Sequence, residues 1–162
     1  MYMQNVYIIA VGKLKEKYLR DAFAEYQKRL TSFCRLIVIE IDEERLPDNP
    51  SAAVIAAGIE KEGQKILKKI PSGSFVVSLC IEGRQMTSED FSRMIEQSGV
   101  SGFSDVVFVI GGSFGLSNDI KNISKCKLSF SKMTFPHQLF RIMLAEQIYR
   151  GYQIAIGGKY HK

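Results

Sequence analysis

Three stretches in the last third of the chain combine residue types that could do chemistry. A glycine turn, Gly111-Gly112-Ser113-Phe114-Gly115, follows an apolar run ending at Ile110. A polar and aromatic run, Ser129-Phe130-Ser131-Lys132-Met133-Thr134-Phe135-Pro136-His137, comes next, and the last residues are Tyr160-His161-Lys162. Glycine permits positive φ and lets a ligand approach the backbone closely. A polar–aromatic approach to a helix can wall a flat, uncharged ring system. At the chain end Tyr can stack on a base, His can handle a proton and Lys can meet a phosphate. Each stretch also has a plainer reading: a tight strand-to-helix turn, a helix start capped by Thr134 with Pro136 in its first turn, and a frayed tail. His137, in a first helical turn where a positive imidazolium is unfavourable, reads as structural.

Several chemistries are excluded by spacing. Gly-x-Gly-x-x-Gly is absent, and so is Gly-Lys-Ser/Thr, so neither a dinucleotide fingerprint nor a P-loop is present. No Ser-centred elbow or Cys nucleophile stands near His137. Cys34, Cys80 and Cys126 form no close pair, which argues against a disulfide framework or a zinc site and for a reducing, cytoplasmic setting. No metal is expected. The first residues show no basic stretch leading into a long apolar run, and no segment approaches a membrane span. Twenty-two basic against 17 acidic residues give a net charge of +5, a modest excess compatible with a polyanionic partner.

The elements that must position these residues alternate. Val6 to Val11, Leu36 to Ile41, Phe75 to Ile81, Asp105 to Ile110 and Lys127 to Ser129 read as strands. Lys15 to Leu30, Ser51 to Ile70 (capped by Ser51 and stopped at Pro71-Ser72-Gly73), Thr87 to Gln97 (capped by Thr87 or Ser88) and Pro136 to Arg150 read as helices, with Asp42 to Pro50 a surface loop. One α/β domain spanning residues 1–162 with a mainly parallel sheet flanked by helices is expected. Ligands in such folds bind at the carboxyl ends of strands, so the loops after Leu79, Ile110 and Ser129 are the candidates. The last helix is apolar around much of its circumference, through Leu139, Phe140, Ile142, Met143, Leu144, Ala145, Ile148 and Tyr149. One stripe can face the sheet, and a two-fold homodimer would cover the surplus. Arg141, Glu146 and Arg150 are then placed at the edges, with Arg141 and Glu146 too far from ideal spacing to pair.

Taken in order, Phe108-Val109-Ile110-Gly111-Gly112-Ser113-x-Gly115-Leu116, Leu128 to Gln138, Arg141, Glu146-Gln147-x-Tyr149-Arg150 and Tyr160-His161-Lys162 resemble the RlmH family, the ribosomal RNA large subunit methyltransferase H group of the SPOUT class. Ala10 to Lys15 and Lys61-Glu62-Gly63 extend the resemblance along the chain. It implies a deep trefoil knot in the C-terminal part, a feature that general rules of chain connection make very improbable. It also implies a homodimer, S-adenosyl-L-methionine bound in the knot, and methylation of N3 of a pseudouridine in a hairpin loop of 23S rRNA in the assembled ribosome. By matching position, Leu79, Gly111, Phe130, Ser131, Lys132, Met133, Thr134 and Phe135 would hold the cofactor. Arg141, Tyr160 and His161 would serve the RNA base, the tail reaching the partner's site, with His161 as the proton handler. Cys80 stands where the resemblance leads one to expect an acidic or polar residue. A non-catalytic ribosome-binding or assembly factor with the same basic surface is the alternative. It would need no glycine-lined pocket.

Overall fold

The computed structural model describes residues 3–162. In chain order the elements are β1 (Gln4–Val11), α1 (Lys17–Leu30), β2 (Cys34–Ile41), α2 (Ala52–Leu67), β3 (Phe75–Arg84), α3 (Ser88–Val100), β4 (Asp105–Ile110), α4 (Asn118–Ile123), β5 (Cys126–Leu128) and α5 (His137–Ala155). The strands form one five-stranded sheet in the order β2-β1-β4-β3-β5. Every pairing is parallel, as the strand–helix alternation requires.

Strand alternation divides the core between the two faces of the sheet. Val6, Ile8 and Ala10 of β1, with Val106, Phe108 and Ile110 of β4, pack with Phe23 of α1, Phe91 and Ile95 of α3, and Leu144 and Ile148 of α5. Ile9, Val11, Val107 and Val109 pack on the other face with Ile66 of α2 and Ile120 of α4. Both faces are covered, which is why these strands read as continuous apolar runs.

Helix ends follow their caps. The Ser51 and Thr87 hydroxyls accept hydrogen bonds from the backbone N–H groups of Val54 and Asp90, at 3.3 and 3.1 Å. Helix α2 ends at Leu67, short of the expected Ile70, its last carbonyls being taken up by tighter turns at Lys69 and Ile70. Helix α4, unforeseen in the sequence, is a single short turn-and-a-half opened by Ser117, whose Oγ accepts from Ile120 N–H.

Two boundaries depart from the sequence reading in ways that matter for the site. Strand β3 runs on to Arg84, and both Leu79 and Arg84 pair with Leu128, so residues 80–83 bulge out of the sheet between them. Gly83 makes that bulge possible, because a Cβ there would lie 2.7–2.8 Å from the backbone of Leu128 and Lys127. Helix α5 continues through Gly151 to Ala155 instead of stopping at Arg150. Gly151 is buried against α3, and its carbonyl accepts a 2.6 Å hydrogen bond from Ser92 Oγ. This packing outweighs the roughly 1 kcal/mol that a mid-helix glycine costs. Thr134 does not cap α5: the cap position is Pro136, with no side-chain hydrogen bond.

Candidate functional site

The loops after β3, β4 and β5 meet at the carboxyl edge of the sheet around a cleft of about 780 Å³. That size suits a small organic ligand or cofactor. Its apolar walls come from Leu79, Ile110, Leu116, Phe130, Phe135 and Phe140, and the rings of Phe130 and Phe140 lie 4.7 Å apart. Gly111, Ser131, Met133 and Thr134 also line it, while Lys132 is exposed and does not. Cys80 is a further wall residue, and burial pushes its thiol above the ordinary range, so it is no ready nucleophile.

The glycine turn is folded back on itself. Gly115 takes φ +92°, and its N–H donates to the Gly112 carbonyl at 3.1 Å. A Cβ on Gly111 would sit 2.7 Å from the Gly115 carbonyl oxygen and 3.1 Å from Leu116 Cδ2. Glycine at 111 is thus dictated by the turn's own backbone, and the turn in turn shapes one wall of the cleft. From outside, α2 braces it. Glu62 is buried, and its Oε2 accepts from the backbone N–H of Glu44 at 2.9 Å. Gly63 allows Ser117 within reach of α2, since a Cβ there would be 2.4 Å from Ser117 Oγ.

The third loop is held by local bonds: Ser129 Oγ donates to the Ser131 carbonyl and Met133 N–H donates to Ser131 Oγ, both at 3.0 Å. At the start of α5, His137 lines the cleft beside Gly12, and Gln138 Oε1 accepts from Lys15 N–H at 2.9 Å. Arg141 was expected at an edge facing RNA; it is instead 3% exposed. Its Nη1 donates to Glu40 Oε2 at 2.7 Å and its Nη2 to the Gly12 carbonyl at 3.1 Å. The guanidinium therefore clamps the ends of β1 and β2 onto α5 and is turned inward.

Tyr160 and His161 are docked along α5. Tyr160 Oη donates to Glu146 Oε1 at 3.1 Å, its ring meets Tyr149 edge-on at 4.8 Å, and the Arg150 guanidinium lies 4.7 Å from its centroid. Burial first, and then the Glu146 carboxylate, push the Tyr160 hydroxyl up to about 12, so it remains protonated. His161 Nδ1 lies 3.3 Å from Arg150 Nη1 and its Nε2 lies 2.8 Å from Glu89 Oε1. A guanidinium can only donate, so Nδ1 accepts and Nε2 carries the hydrogen. The hydrogen bond to His161 holds the Glu89 carboxyl below its ordinary range. Glu146 and Arg150 pair with each other at 2.6 Å, four residues apart, and Arg141 pairs elsewhere. Ten or so helical residues separate the cleft end of α5 from this cluster, about 15 Å along the axis. The structure thus gathers every cofactor candidate except Lys132 into one cleft and the tail candidates into a second cluster, and does not join the two within one chain.

Four participants escaped the sequence reading. Glu40 and Glu89 sit far away in sequence and carry no local signal; Glu82 and Lys121 face the cleft from the bulge and from α4, neither of which was foreseen. Among the described residues no group of three or more His, Cys, Asp or Glu side chains is arranged to hold a metal, and no helix is long and apolar enough to cross a membrane.

Comparison with known proteins extends the resemblance. Residues 4–161 match the family model described as "Predicted SPOUT methyltransferase". Proteins named ribosomal RNA large subunit methyltransferase H from Clostridium kluyveri and Clostridium tetani are each 54% identical over 158 residues, covering 98% of this chain and 99% of the relative. Among solved structures, a probable methyltransferase from Bordetella pertussis superposes with a TM-score of 0.55 at 10% identity, over 93% of this chain and 97% of that one, a likeness of fold alone.

Proposed function

We propose that this chain, which belongs to the SPOUT methyltransferase family, is an S-adenosyl-L-methionine-dependent methyltransferase of large-subunit ribosomal RNA. The finer reading is methylation of N3 of a pseudouridine in a hairpin loop of 23S rRNA, in the assembled ribosome. The observation that carries the proposal is the convergence of three strand-end loops on one ring-walled cleft, in a chain 54% identical to named rRNA methyltransferases. The single domain, the deep trefoil knot, the homodimer and a cytoplasmic setting belong to the same proposal.

The cleft fits the cofactor on its own terms. It offers apolar surface for a flat ring, a backbone turn with no side chain at Gly111, and a rim whose Glu82 and Lys121 neutralise each other. Leu79, Gly111, Phe130, Ser131, Met133, Thr134 and Phe135 would hold it. When bound, S-adenosyl-L-methionine supplies a methyl group on a positively charged sulfur. The residues of the chain then have orientation and proton handling to provide, and orientation alone can supply a large share of a rate enhancement.

Tyr160, kept protonated and edge-on to Tyr149, suits a stacking or positioning role and not that of a base. His161 has its free lone pair at Nδ1, now facing Arg150. To accept the imide proton of the target, Nδ1 must exchange that contact for the substrate N–H. The resulting imidazolium keeps its Nε2–H on the Glu89 carboxylate, which stabilises it. Arg141 contributes by fixing the cleft end of α5. Because the tail and the cleft of one protomer lie apart, a partner's tail would complete each site. Leu139 is exposed on α5, with Ile142 and Met143 half-buried, leaving apolar surface for that partner to cover.

The test is transfer from labelled S-adenosyl-L-methionine to ribosomes of a strain lacking this gene. Label in large-subunit RNA supports the proposal; binding to ribosomes without transfer would favour a non-catalytic assembly factor.

A further inference from the structure

Among the described residues that line the cleft, Glu82 is the one carboxylate. We infer that Glu82 receives the ribose hydroxyls of an adenosyl ligand in the cleft, an inference that rests on the cofactor reading proposed above. Three observations lead there. First, Glu82 has a fixed place. It belongs to the bulge between Leu79 and Arg84, Gly83 presses that bulge onto the Leu128 backbone, and the Arg84 carbonyl accepts from Ser129 N–H at 3.0 Å. A side chain at the cleft mouth is thereby mounted on sheet backbone, which gives a sharper binding geometry than a free loop would.

Second, Glu82 Oε1 pairs with Lys121 Nζ of α4, which also lines the cleft. Lys121 is the main reason the Glu82 carboxyl lies below its ordinary range, so it is ionised and only accepts hydrogen bonds. Its charge is already compensated; what remains to offer a ligand is acceptor capacity. A vicinal diol supplies two donors and no charge, and it can bind without displacing Lys121. An ammonium group would compete with Lys121 for the same carboxylate. Third, the ring-sized apolar surface is made by Leu79, Ile110 and Phe130, deeper than the exposed bulge that carries Glu82. A sugar attached to a ring seated there emerges beside the carboxylate, the same use of an acid that dinucleotide-binding folds make of theirs.

The experiment measures calorimetric affinity of the full chain for S-adenosylhomocysteine, for 5′-methylthioadenosine, which keeps the ribose but lacks the amino-acid end, and for 2′,3′-dideoxy-S-adenosylhomocysteine. The Glu82 side chain is 58% exposed, so Glu82→Ala is expected to fold as wild type, checked by its melting curve. The variant should bind S-adenosylhomocysteine and methylthioadenosine more weakly by the same factor, about tenfold, and Glu82→Gln should fall between. For the dideoxy ligand the variant and the wild type should be equal. Loss for S-adenosylhomocysteine alone would assign Glu82 to the amino-acid end and overturn the inference, as would unchanged affinity for all three. If wild type binds none of them, the cofactor reading of the cleft fails first.

Discussion

Replacing Gly111 by alanine is the sharpest perturbation of the site, because the structure states what the added methyl meets. It would lie 2.7 Å from the carbonyl oxygen and 2.8 Å from the carbonyl carbon of Gly115, with Leu116 Cδ2 at 3.1 Å. Two of those atoms are backbone, held by the bond between Gly112 and Gly115, so no rotamer change relieves the overlap. Overpacking a closed site costs about 1–3 kcal/mol. With backbone as the obstacle the upper part of that range applies, about 2–3 kcal/mol, or roughly 5–10 °C in melting temperature for a chain of this length. Gly112 provides the internal control: its added Cβ would meet Val11 Cγ1 at 3.2 Å, a side-chain atom that can give by tenths of an ångström. Gly112→Ala should cost about 1 kcal/mol or less. The assay pairs thermal melting with calorimetric titration of S-adenosylhomocysteine. Gly111→Ala is expected to lose stability and ligand affinity together, because the turn itself opens. Full stability with lost affinity would mean that the methyl projects into the cleft, and the backbone account would be wrong.

The pair between buried Arg141 and Glu40 at the start of α5 should be costly to break. Arg141→Met leaves Glu40 and the Gly12 carbonyl unpaired, and because the Glu40 side chain is 37% exposed the expected loss is about 2–3 kcal/mol in urea unfolding; a loss under about half of 1 kcal/mol would count against the clamp. Burial, opposed by the Glu44 N–H and reinforced by Glu43 and Glu44, raises the Glu62 carboxyl above its ordinary 4.5. A raised acid stabilises the fold below its unfolded value and loses that contribution as pH rises through the folded one. Glu62→Gln should therefore gain stability relative to wild type as pH rises above about 4.5, and a relative loss on the same rise would contradict the buried-acid reading. His161→Ala should keep S-adenosylhomocysteine affinity and lose most methyl transfer; wild-type turnover would remove His161 from catalysis.

The sequence made the frame of the site legible because its signals are local. Apolar runs over Val6 to Val11, Phe75 to Ile81 and Asp105 to Ile110 mark strands, and the carboxyl ends of strands in a parallel sheet mark the cleft. Gly111, Phe130, Ser131, Met133, Thr134 and Phe135, which the family resemblance puts at the cofactor, line that cleft, and Lys132 does not. What stayed hidden depends on contacts between distant residues. Arg141 looks like an edge charge on an amphipathic helix until β2 brings Glu40 against it. The β3 bulge follows from Leu128 pairing twice, at Leu79 and at Arg84, and no periodicity announces it. Gly151 looked like a helix stop and is instead a packing contact with α3. Similarly, Tyr160 and His161 read as a frayed end because Glu89, Glu146 and Tyr149, which hold them, lie on two separate helices.

Delivery of a methyl group from this cleft to one base of large-subunit RNA, the proposed function, is tested most directly by its product. Ribosomes from a strain lacking this gene, incubated with the protein and methyl-labelled S-adenosyl-L-methionine, can be stripped to RNA, digested to nucleosides and separated. A single labelled nucleoside, N3-methylpseudouridine, is expected from the large-subunit RNA. Label in any other nucleoside, in ribosomal protein, or in none of these would contradict it.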